Sequence, residues 1–170
     1  MMHMPASVQS SNTIGYLSFV EIPPHGTVGG YLLVDERARP VEFHCTAPVQ
    51  RGRTQQILYG NTFRSALLCD QIGVALLKQP RNAPALLITD EPDATALRSL
   101  VDLPLALITD SQDLDWSFEY AGCTVTTAPN FECDRETIRH LILTTCPDRD
   151  LAEPIERIRA AINEAQQAAA

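Results

Sequence analysis

The sequence predicts an α/β fold with a mixed sheet, in which a three-strand antiparallel meander precedes a parallel βαβ unit and helices flank the sheet. Residues 85–90 and 105–110 are near-copies of one apolar phrase, and both end in Leu-Ile-Thr-Asp. Apolar runs without alternation are typical of strands that are buried on both faces, as in parallel sheets. Residues 93–101 between them have a helical pattern, and a strand–helix–strand crossover makes its two strands parallel. We therefore expect both phrases to end at the same edge of the sheet.

The first third of the chain predicts the meander. Residues 13–22 are rich in β-forming side chains and end at a turn, Pro-Pro-His-Gly, over residues 23–26. Gly29 and Gly30 then open a second strand over residues 31–35. Residues 41–47 alternate between apolar and polar side chains, which predicts a half-buried antiparallel strand. One face of that strand has Val41, Phe43 and Cys45, and the other has Glu42, His44 and Thr46.

The longest helical pattern covers residues 50–79. Gly60 and Asn61 interrupt it, and Thr62 is a candidate cap for the second segment. Pro80 ends the region, because proline lacks the N–H that would continue the helix. An apolar stripe near the 3.6-residue period consists of Phe63, Leu67, Leu68, Ile72, Ala75 and Leu76.

The second half continues the alternation of strands and helices. The helix after the first apolar phrase begins over residues 91–93, where an acidic cap precedes a proline in the first turn. Residues 118–127 predict one strand that Gly122 weakens near its middle. Asp134 is a candidate cap for a helix over residues 134–145.

We expect one α/β domain over residues 13–150, with residues 1–12 as a flexible lead-in. Residues 151–170 predict a C-terminal amphipathic helix. Its apolar side chains, between Leu151 and Ile162, would pack on the domain itself, on a protein partner or on a second copy of the chain.

Composition bounds the possible functions. The 170 residues are 45% hydrophobic and 20% charged, as in ordinary globular proteins. The net charge is −8, and residues 82–170 contain six basic and sixteen acidic residues, which argues against general nucleic-acid binding. No apolar run approaches the roughly 20 residues of a membrane helix, so we expect no membrane association. Without the pattern of a signal peptide, the five scattered cysteines predict reduced thiols in a cytoplasmic protein.

The predicted order of elements resembles that of the RNase H-like superfamily over roughly residues 14–110. The matching details are Gly29-Gly30-Tyr31 at the start of the second strand, Arg53 and Gln55 near the start of the long helix, and Ile88-Thr89-Asp90 at the end of the fourth strand. In that superfamily, the fourth strand keeps a metal-binding aspartate at this place.

The sequence departs from the acidic pattern that this resemblance implies. The first strand has Glu21 where an aspartate is expected, and Gln55 and Gln56 stand where a glutamate is expected. The nearest carboxylate in the helix is Asp70, several turns later. The resemblance therefore implies the strand order and an acidic site that is not intact.

Asp90 and Asp110 are the first candidate site. Adjacent parallel strands lie about 4.8 Å apart, so two carboxylates at matching ends could share Mg²⁺ or Mn²⁺, with Glu21 as a further ligand. Such a metal could activate water for phosphodiester cleavage. The alternative is structural, because aspartate often caps a following helix or hydrogen-bonds within its own turn.

Arg51, Arg53 and Thr54 are a second candidate site. Two arginines at a helix N-terminus can bind a small anion such as phosphate or a carboxylate. The alternative is a solvated basic turn that balances the acidic half of the chain.

Other patterns indicate little chemistry. Cys133, His140 and Cys146 are spaced too widely for the tight zinc pairs, so buried thiols are the simpler interpretation. A Cys69–His25 pair has no local signature. Trp116 fits either an exposed anchor for a partner or a cover for the core edge.

The sequence therefore favours a cytoplasmic binding or assembly module without an intact catalytic set and without a cofactor. The alternative is a divalent-metal-dependent phosphodiesterase, similar to a nuclease, that uses carboxylates at the carboxyl end of the sheet.

Overall fold

The computed structural model describes residues 12–111 and 116–170. The predicted lead-in therefore lies, except for Asn12, outside the described residues. The strands are β1 (Ile14–Ile22), β2 (Gly26–Val34), β3 (Pro40–Cys45), β4 (Leu86–Thr89), β5 (Leu105–Thr109), β6 (Phe118–Tyr120) and β7 (Cys123–Thr127). The α-helices are α1 (Arg53–Tyr59), α2 (Phe63–Ala66), α3 (Val74–Leu77), α4 (Arg135–Thr145) and α5 (Glu153–Ala168).

All seven strands form one mixed sheet in the order β3-β2-β1-β4-β5-β7-β6. The meander β1–β2–β3 is antiparallel, whereas β4 pairs in parallel with both β1 and β5. The predicted α/β class, the antiparallel meander and the parallel βαβ unit are confirmed. Along the chain, three antiparallel strands are followed by two parallel ones, which is the order that the resemblance to the RNase H-like superfamily implies.

The predicted single strand over residues 118–127 is wrong, because the chain reverses in its middle. Ala121 and Gly122 have positive φ angles of 49° and 83°. Two such residues form the tight turn that matches the twist of a hairpin, so β6 and β7 pair with each other as antiparallel strands. The glycine marks the turn and not a weak point in one strand.

The long helical region changes its geometry twice. A 3₁₀ turn, Gly60–Thr62, follows α1, and a π-helical segment, Leu67–Gly73, separates α2 from α3. Thr62 does not cap α2, since its hydroxyl donates to the carbonyl of Tyr59 at 2.7 Å. The predicted break at Gly60 is present, and the predicted apolar stripe packs against the sheet, where Leu67, Leu68, Ile72 and Leu76 are inaccessible to solvent.

Two hydrophobic layers cover the two faces of the sheet. One lies under α4 and α5, and the other lies under α2, the π-helical segment and α3. Two consecutive glycines in β2 leave the space in which side chains of the helices from both layers pack against the sheet. A Cβ atom on Gly29 would lie 2.2 Å from Cγ2 of Ile72, and one on Gly30 would lie 2.4 Å from Cγ2 of Ile158.

Helix α5 packs on the chain's own sheet. Ile155, Ile158 and Ile162 are at most 1% exposed, and the helix contacts β1 and β2. The apolar face predicted as a possible partner surface is thus covered within the domain and is not available to a protein partner. Within the described residues, no helix has the length and apolar character needed to cross a membrane.

Asp134 was predicted to cap α4 with its side chain, and it does not. Its carboxylate accepts instead from Arg98, from Nε at 2.7 Å and from Nη2 at 3.3 Å. Both side chains are nearly buried, at 12% and 13% exposure. This paired hydrogen bonding fixes α4 to the 3₁₀ helix Pro92–Ser99, which connects β4 to β5.

Strand β3 is half-buried, but its polar face is the more buried one. Val41 and Phe43 are 45% and 40% exposed, whereas the side chain of Glu42 is 12% exposed. The Glu42 carboxylate accepts from the backbone N–H groups of Arg81 and Asn82 at 2.9–3.1 Å, and it lies 2.9 Å from Nε2 of His44. Burial opposes the charge of Glu42, but these hydrogen bonds outweigh it and lower its pKa from 4.5 to about 2.

We expect Glu42 to contribute stability that depends on pH. Because its folded-state pKa is lowered, the contribution is complete above about pH 4.5 and is lost as the pH falls through about 2. Glu42→Gln should cost about 1–3 kcal/mol of unfolding free energy at neutral pH, and its stability should vary less than that of the wild type between these values. Urea unfolding across this pH range measures both effects.

The matched control is Glu36→Gln, at an exposed residue in the turn before β3. This change should alter the unfolding free energy by less than about 0.5 kcal/mol. Equal pH profiles for the wild type and Glu42→Gln would show that the buried carboxylate does not stabilise the fold.

Candidate functional site

The repeated Thr-Asp ends of β4 and β5 adopt the same local structure. The hydroxyl oxygen of Thr89 accepts from the N–H of Glu91 at 3.2 Å, and that of Thr109 accepts from the N–H of Ser111 at 3.1 Å. Each threonine therefore satisfies the first backbone donor beyond its aspartate, as in a serine/threonine turn. The two strands are parallel neighbours, so Asp90 and Asp110 leave the sheet at the same edge.

Both aspartates line one cavity at this edge, with a volume of about 280 Å³. Asp90 does not cap the helix that follows it, because the Glu91 side chain accepts from the N–H of Asp93 at 3.2 Å and takes that role. The other residues that line the cavity are Ile108, Thr109, Cys123 and Ala152.

Within this cavity, the two aspartates differ in their partners. Asp90 forms an ion pair with Arg159 of α5, which also pairs with Glu156. Burial lowers the pKa of Arg159, whereas Asp90 and then Glu156 raise it more strongly. The net shift is upward, so this arginine stays charged. Asp110 has neither a hydrogen bond nor an ion pair with any residue in the ranges 12–111 and 116–170.

Cys123 is the only thiol that lines the cavity among the described residues. Burial raises the pKa of this thiol, and the charges of Asp150 and Asp110 raise it further. The thiol is therefore protonated at neutral pH and is a poor nucleophile.

A second group of charges lies around Arg64 of α2, which we call the Arg64 cluster. Its guanidinium contacts Glu91 at 2.6 Å, Asp93 at 3.1 Å and Glu21 at 3.5 Å. A hydrogen bond to Glu91, with the nearby carboxylate charges, raises the pKa of Arg64 although burial opposes the shift. One arginine thus connects the ends of β1 and β4 to the helical layer.

Glu21 belongs to the Arg64 cluster and not to the aspartate cavity. It accepts from Arg51 and, at 3.0 Å, from the hydroxyl of Thr27. The successive residues Asp90 and Glu91 pair with arginines from different helices, Arg159 and Arg64. The structure therefore brings Asp90 and Asp110 together and places Glu21 in a separate group.

Within the described parts of the chain, no three histidine, cysteine, aspartate or glutamate side chains are arranged to hold a metal ion. The roles of Asp90, Asp110 and Glu21 as metal ligands stay predictions. The same finding gives no metal site at Cys133, His140 and Cys146 in these parts of the chain. The buried-thiol interpretation fits Cys146, which is buried, but not Cys133, which is exposed.

The predicted anion site lies at the start of α1. Gly52 precedes the helix without a side-chain cap, and Arg53 and Thr54 are exposed. Arg51 is engaged by Glu21, so an anion would have to compete with that carboxylate. Anion binding by these three residues also stays a prediction.

Helix α1 presents a second candidate surface. None of its seven residues is buried. Ile57 and Leu58 are 70% and 78% exposed, and Tyr59 is 51% exposed. We call Ile57, Leu58 and Tyr59 the α1 patch.

Sequence reasoning missed the two arginines that organise the carboxyl edge. Arg64 directly follows Phe63, which begins the apolar stripe. Arg159 directly follows Ile158, which belongs to the buried face of α5. An arginine that borders a buried stripe can reach a neighbouring element, and this is the signal that could have identified both.

Two further expectations concern isolated side chains. Cys69 is buried, and burial raises its pKa to about 11, so it does not provide a reactive thiolate. Trp116 is half-buried and packs edge-on against Phe118, with ring centres 5.7 Å apart, while Arg135 lies 5.6 Å above its ring. These contacts support the interpretation of Trp116 as a cover for the core edge.

The Asp90–Arg159 pair should stabilise the carboxyl edge. In a double-mutant cycle with Asp90→Asn and Arg159→Gln, we expect a coupling energy of about 0.5–1 kcal/mol, because both groups are partly shielded from solvent. The more exposed pair between Arg157 and Glu153 of the same helix should give about 0.3–0.5 kcal/mol. Urea unfolding of the single and double variants measures both. A coupling near zero would mean that this ion pair does not stabilise the fold.

Compared by sequence, the chain matches no protein-family model and no curated protein. Compared by structure, it is similar to Ciona intestinalis endonuclease V in complex with a 23mer DNA, with a TM-score of 0.39 and 12% identity over 62% of this chain and 48% of that chain. It is also similar to human ENDOV, with a TM-score of 0.38 and 15% identity over 76% of this chain and 54% of that chain.

The catalytic domain of human endonuclease V gives a TM-score of 0.33 and 15% identity over 75% of this chain and 52% of that chain. The chain therefore spans about half the length of these structures. Similarity at these values assigns neither a family nor an activity. One of these proteins is bound to DNA, whereas the acidic composition of this chain predicts against general nucleic-acid binding, and that expectation stays a prediction.

Proposed function

We propose that the protein is a binding or assembly module that docks a protein partner on the α1 patch. The observation that carries the proposal is the exposure of α1, a helix with no buried residue that ends in Ile57, Leu58 and Tyr59. Most short helices in globular proteins are held by an apolar face that packs on the core. In this helix the side chains of Ile57 and Leu58 are instead largely exposed to solvent.

A partner would supply the missing burial. Covering an isoleucine or a leucine side chain contributes about 1.5–3 kcal/mol each. The patch also continues into a cleft. Tyr59 packs edge-on against Phe63, with ring centres 6.3 Å apart, and it borders a cavity of about 440 Å³ between the long helical region and the 3₁₀ helix Pro92–Ser99. A side chain of the partner could anchor in this cavity.

The charges at the carboxyl edge support a binding role over a catalytic one. Asp90 is occupied by Arg159, and Glu21, Glu91 and Asp93 share Arg64. A metal ion would first have to displace an arginine from these carboxylates, and of the two aspartates in the cavity only Asp110 is unpaired among the described residues.

Replacing the apolar side chains of the α1 patch should weaken partner binding and leave the fold intact. The variant is Ile57→Ser combined with Leu58→Ser, and the control is Leu143→Ser, because Leu143 is a 50% exposed leucine on α4. We expect the wild type and the control to capture the same partner, and the double variant to bind the purified partner at least about tenfold more weakly. Isothermal titration calorimetry measures the affinities, and circular dichroism melting verifies the fold.

Two results would contradict the proposal. Equal affinity of the double variant and the wild type would place the contact elsewhere. Unfolding of the double variant would show that α1 is part of the core and not a free surface.

The second candidate function is a divalent-metal-dependent phosphodiesterase, an activity of the class that the name endonuclease V denotes. The observation that favours it is that Asp90 and Asp110 line one cavity at the carboxyl edge. Mg²⁺ or Mn²⁺ held there by oxygen ligands would supply an activated water. Arg159 would have to leave Asp90 or turn toward the phosphate, and it is long enough to serve as a phosphate ligand.

Titration with Mn²⁺ separates the two candidates. Our leading proposal expects no metal site at the carboxyl edge, so Mn²⁺ should leave the melting temperature of the protein unchanged. A saturable increase that Asp110→Asn removes and the exposed control Asp102→Asn retains would replace it with the metal-dependent enzyme. Cleavage of labelled DNA in Mn²⁺, with the same two variants, would then test the activity itself.

A further inference from the structure

We propose that the protein forms a two-fold symmetric dimer by antiparallel pairing of the outer edge of β3 with the same edge of a second copy. β3 is the first strand in the order of the sheet, and its only strand neighbour among the described residues is β2. The surface is separate from the α1 patch, so the inference goes beyond the proposed docking of a protein partner.

The backbone of β3 presents free hydrogen-bonding groups to solvent. The N–H of Thr46 donates to the carbonyl of Gly29 in β2 at 3.0 Å. Since alternate residues of an edge strand face the neighbouring strand, His44 and Glu42 also face β2. The N–H and C=O groups of Phe43 and Cys45 therefore point away from β2, and no strand of the described residues lies beyond them.

The side chains at this edge are apolar and uncovered. Val41 and Phe43 are 45% and 40% exposed, and Cys45 is exposed as well. Free backbone groups beside exposed apolar side chains make an edge strand prone to pair with another strand. Pro40 and a register irregularity opposite Val34 limit the pairing to the few residues that follow.

The chemistry of residues 41–45 is symmetric about Phe43, and this identifies the second strand as another copy of β3. Antiparallel pairing centred on Phe43 places each Glu42 opposite His44 of the other copy on one face. On the other face it places Phe43 opposite Phe43 and Val41 opposite Cys45. Glu42, which already contacts His44 of its own copy at 2.9 Å, thus gains a second imidazole neighbour. Polar and apolar pairs of this kind across two strands stabilise a sheet.

Other registers are excluded by the same residues. A shift by two residues centres the pair on Glu42 or on His44, so that like groups face each other. A shift by one residue places apolar side chains opposite polar ones. The register centred on Phe43 also forms a hydrogen-bonded pair at the two-fold axis, because the backbone groups of Phe43 point outward.

The test measures the oligomeric state of the full chain by sedimentation velocity across a wide range of concentration. We expect the wild type to dimerise reversibly. Phe43→Lys places two ammonium groups opposite each other at the axis and should weaken the dimer roughly tenfold or more. Leu143→Lys, at an exposed leucine of α4, is the control and should leave the dimer unchanged.

A disulfide trap tests the register. In the Cys45→Ser background, Phe43→Cys would place two thiols on residues with Cα atoms about 5.5 Å apart, within the range for a disulfide. Mild oxidation should give a covalent dimer, and Leu143→Cys in the same background should give none.

Each contrary result has a defined meaning. A monomer at all concentrations, or a dimer that Phe43→Lys does not weaken, would overturn the proposal. A dimer without the covalent product would overturn the register. Loss of the dimer in the Ile57→Ser, Leu58→Ser variant would move self-association to the α1 patch, which would support the proposed function and overturn this inference.

Discussion

The parallel pairing of β4 with both β1 and β5 is the interaction on which the rest of the structure depends. Leu86, Leu87 and Ile88 in β4 are inaccessible to solvent, because a helical layer covers each face of the sheet. Since all three central strands run in the same direction, their carboxyl ends meet at one edge. Every ion pair of the candidate site is attached to that edge, so its geometry follows from the sheet.

The central strands β4 and β5 could be predicted because they depend on local sequence patterns. Each of the two apolar phrases is long enough for one buried strand. In each, the threonine before the final aspartate accepts a hydrogen bond from the backbone N–H two residues later. The same reasoning failed for β3, because an alternating pattern shows that the two faces differ but not which face is covered. Glu42 is on the more buried face since backbone N–H groups of a distant turn reach its carboxylate.

The candidate site could be predicted only in its acidic half. Carboxylates at strand ends are visible in the sequence, whereas their partners are far away along the chain: Arg64 is 27 residues from Glu91, and Arg159 is 69 residues from Asp90. The position of each arginine beside a buried stripe indicates that it can reach a neighbouring element, but it does not indicate which carboxylate the arginine contacts. These ion pairs are therefore visible only in the fold, and metal binding by Asp90 and Asp110 stays a prediction.

The π-helical segment Leu67–Gly73 restricts how this chain can change in length. Its wide turns include more residues than an α-helix of equal rise, and Ile72 within it occupies the space that Gly29 leaves open in β2. Because the segment already holds this surplus, adding one more residue there would rotate the rest of the helix by about 100° and turn Leu76 and Leu77 out of the core. The stretch over residues 51–62, where no side chain is buried, can by contrast change in length without moving this helix against β2.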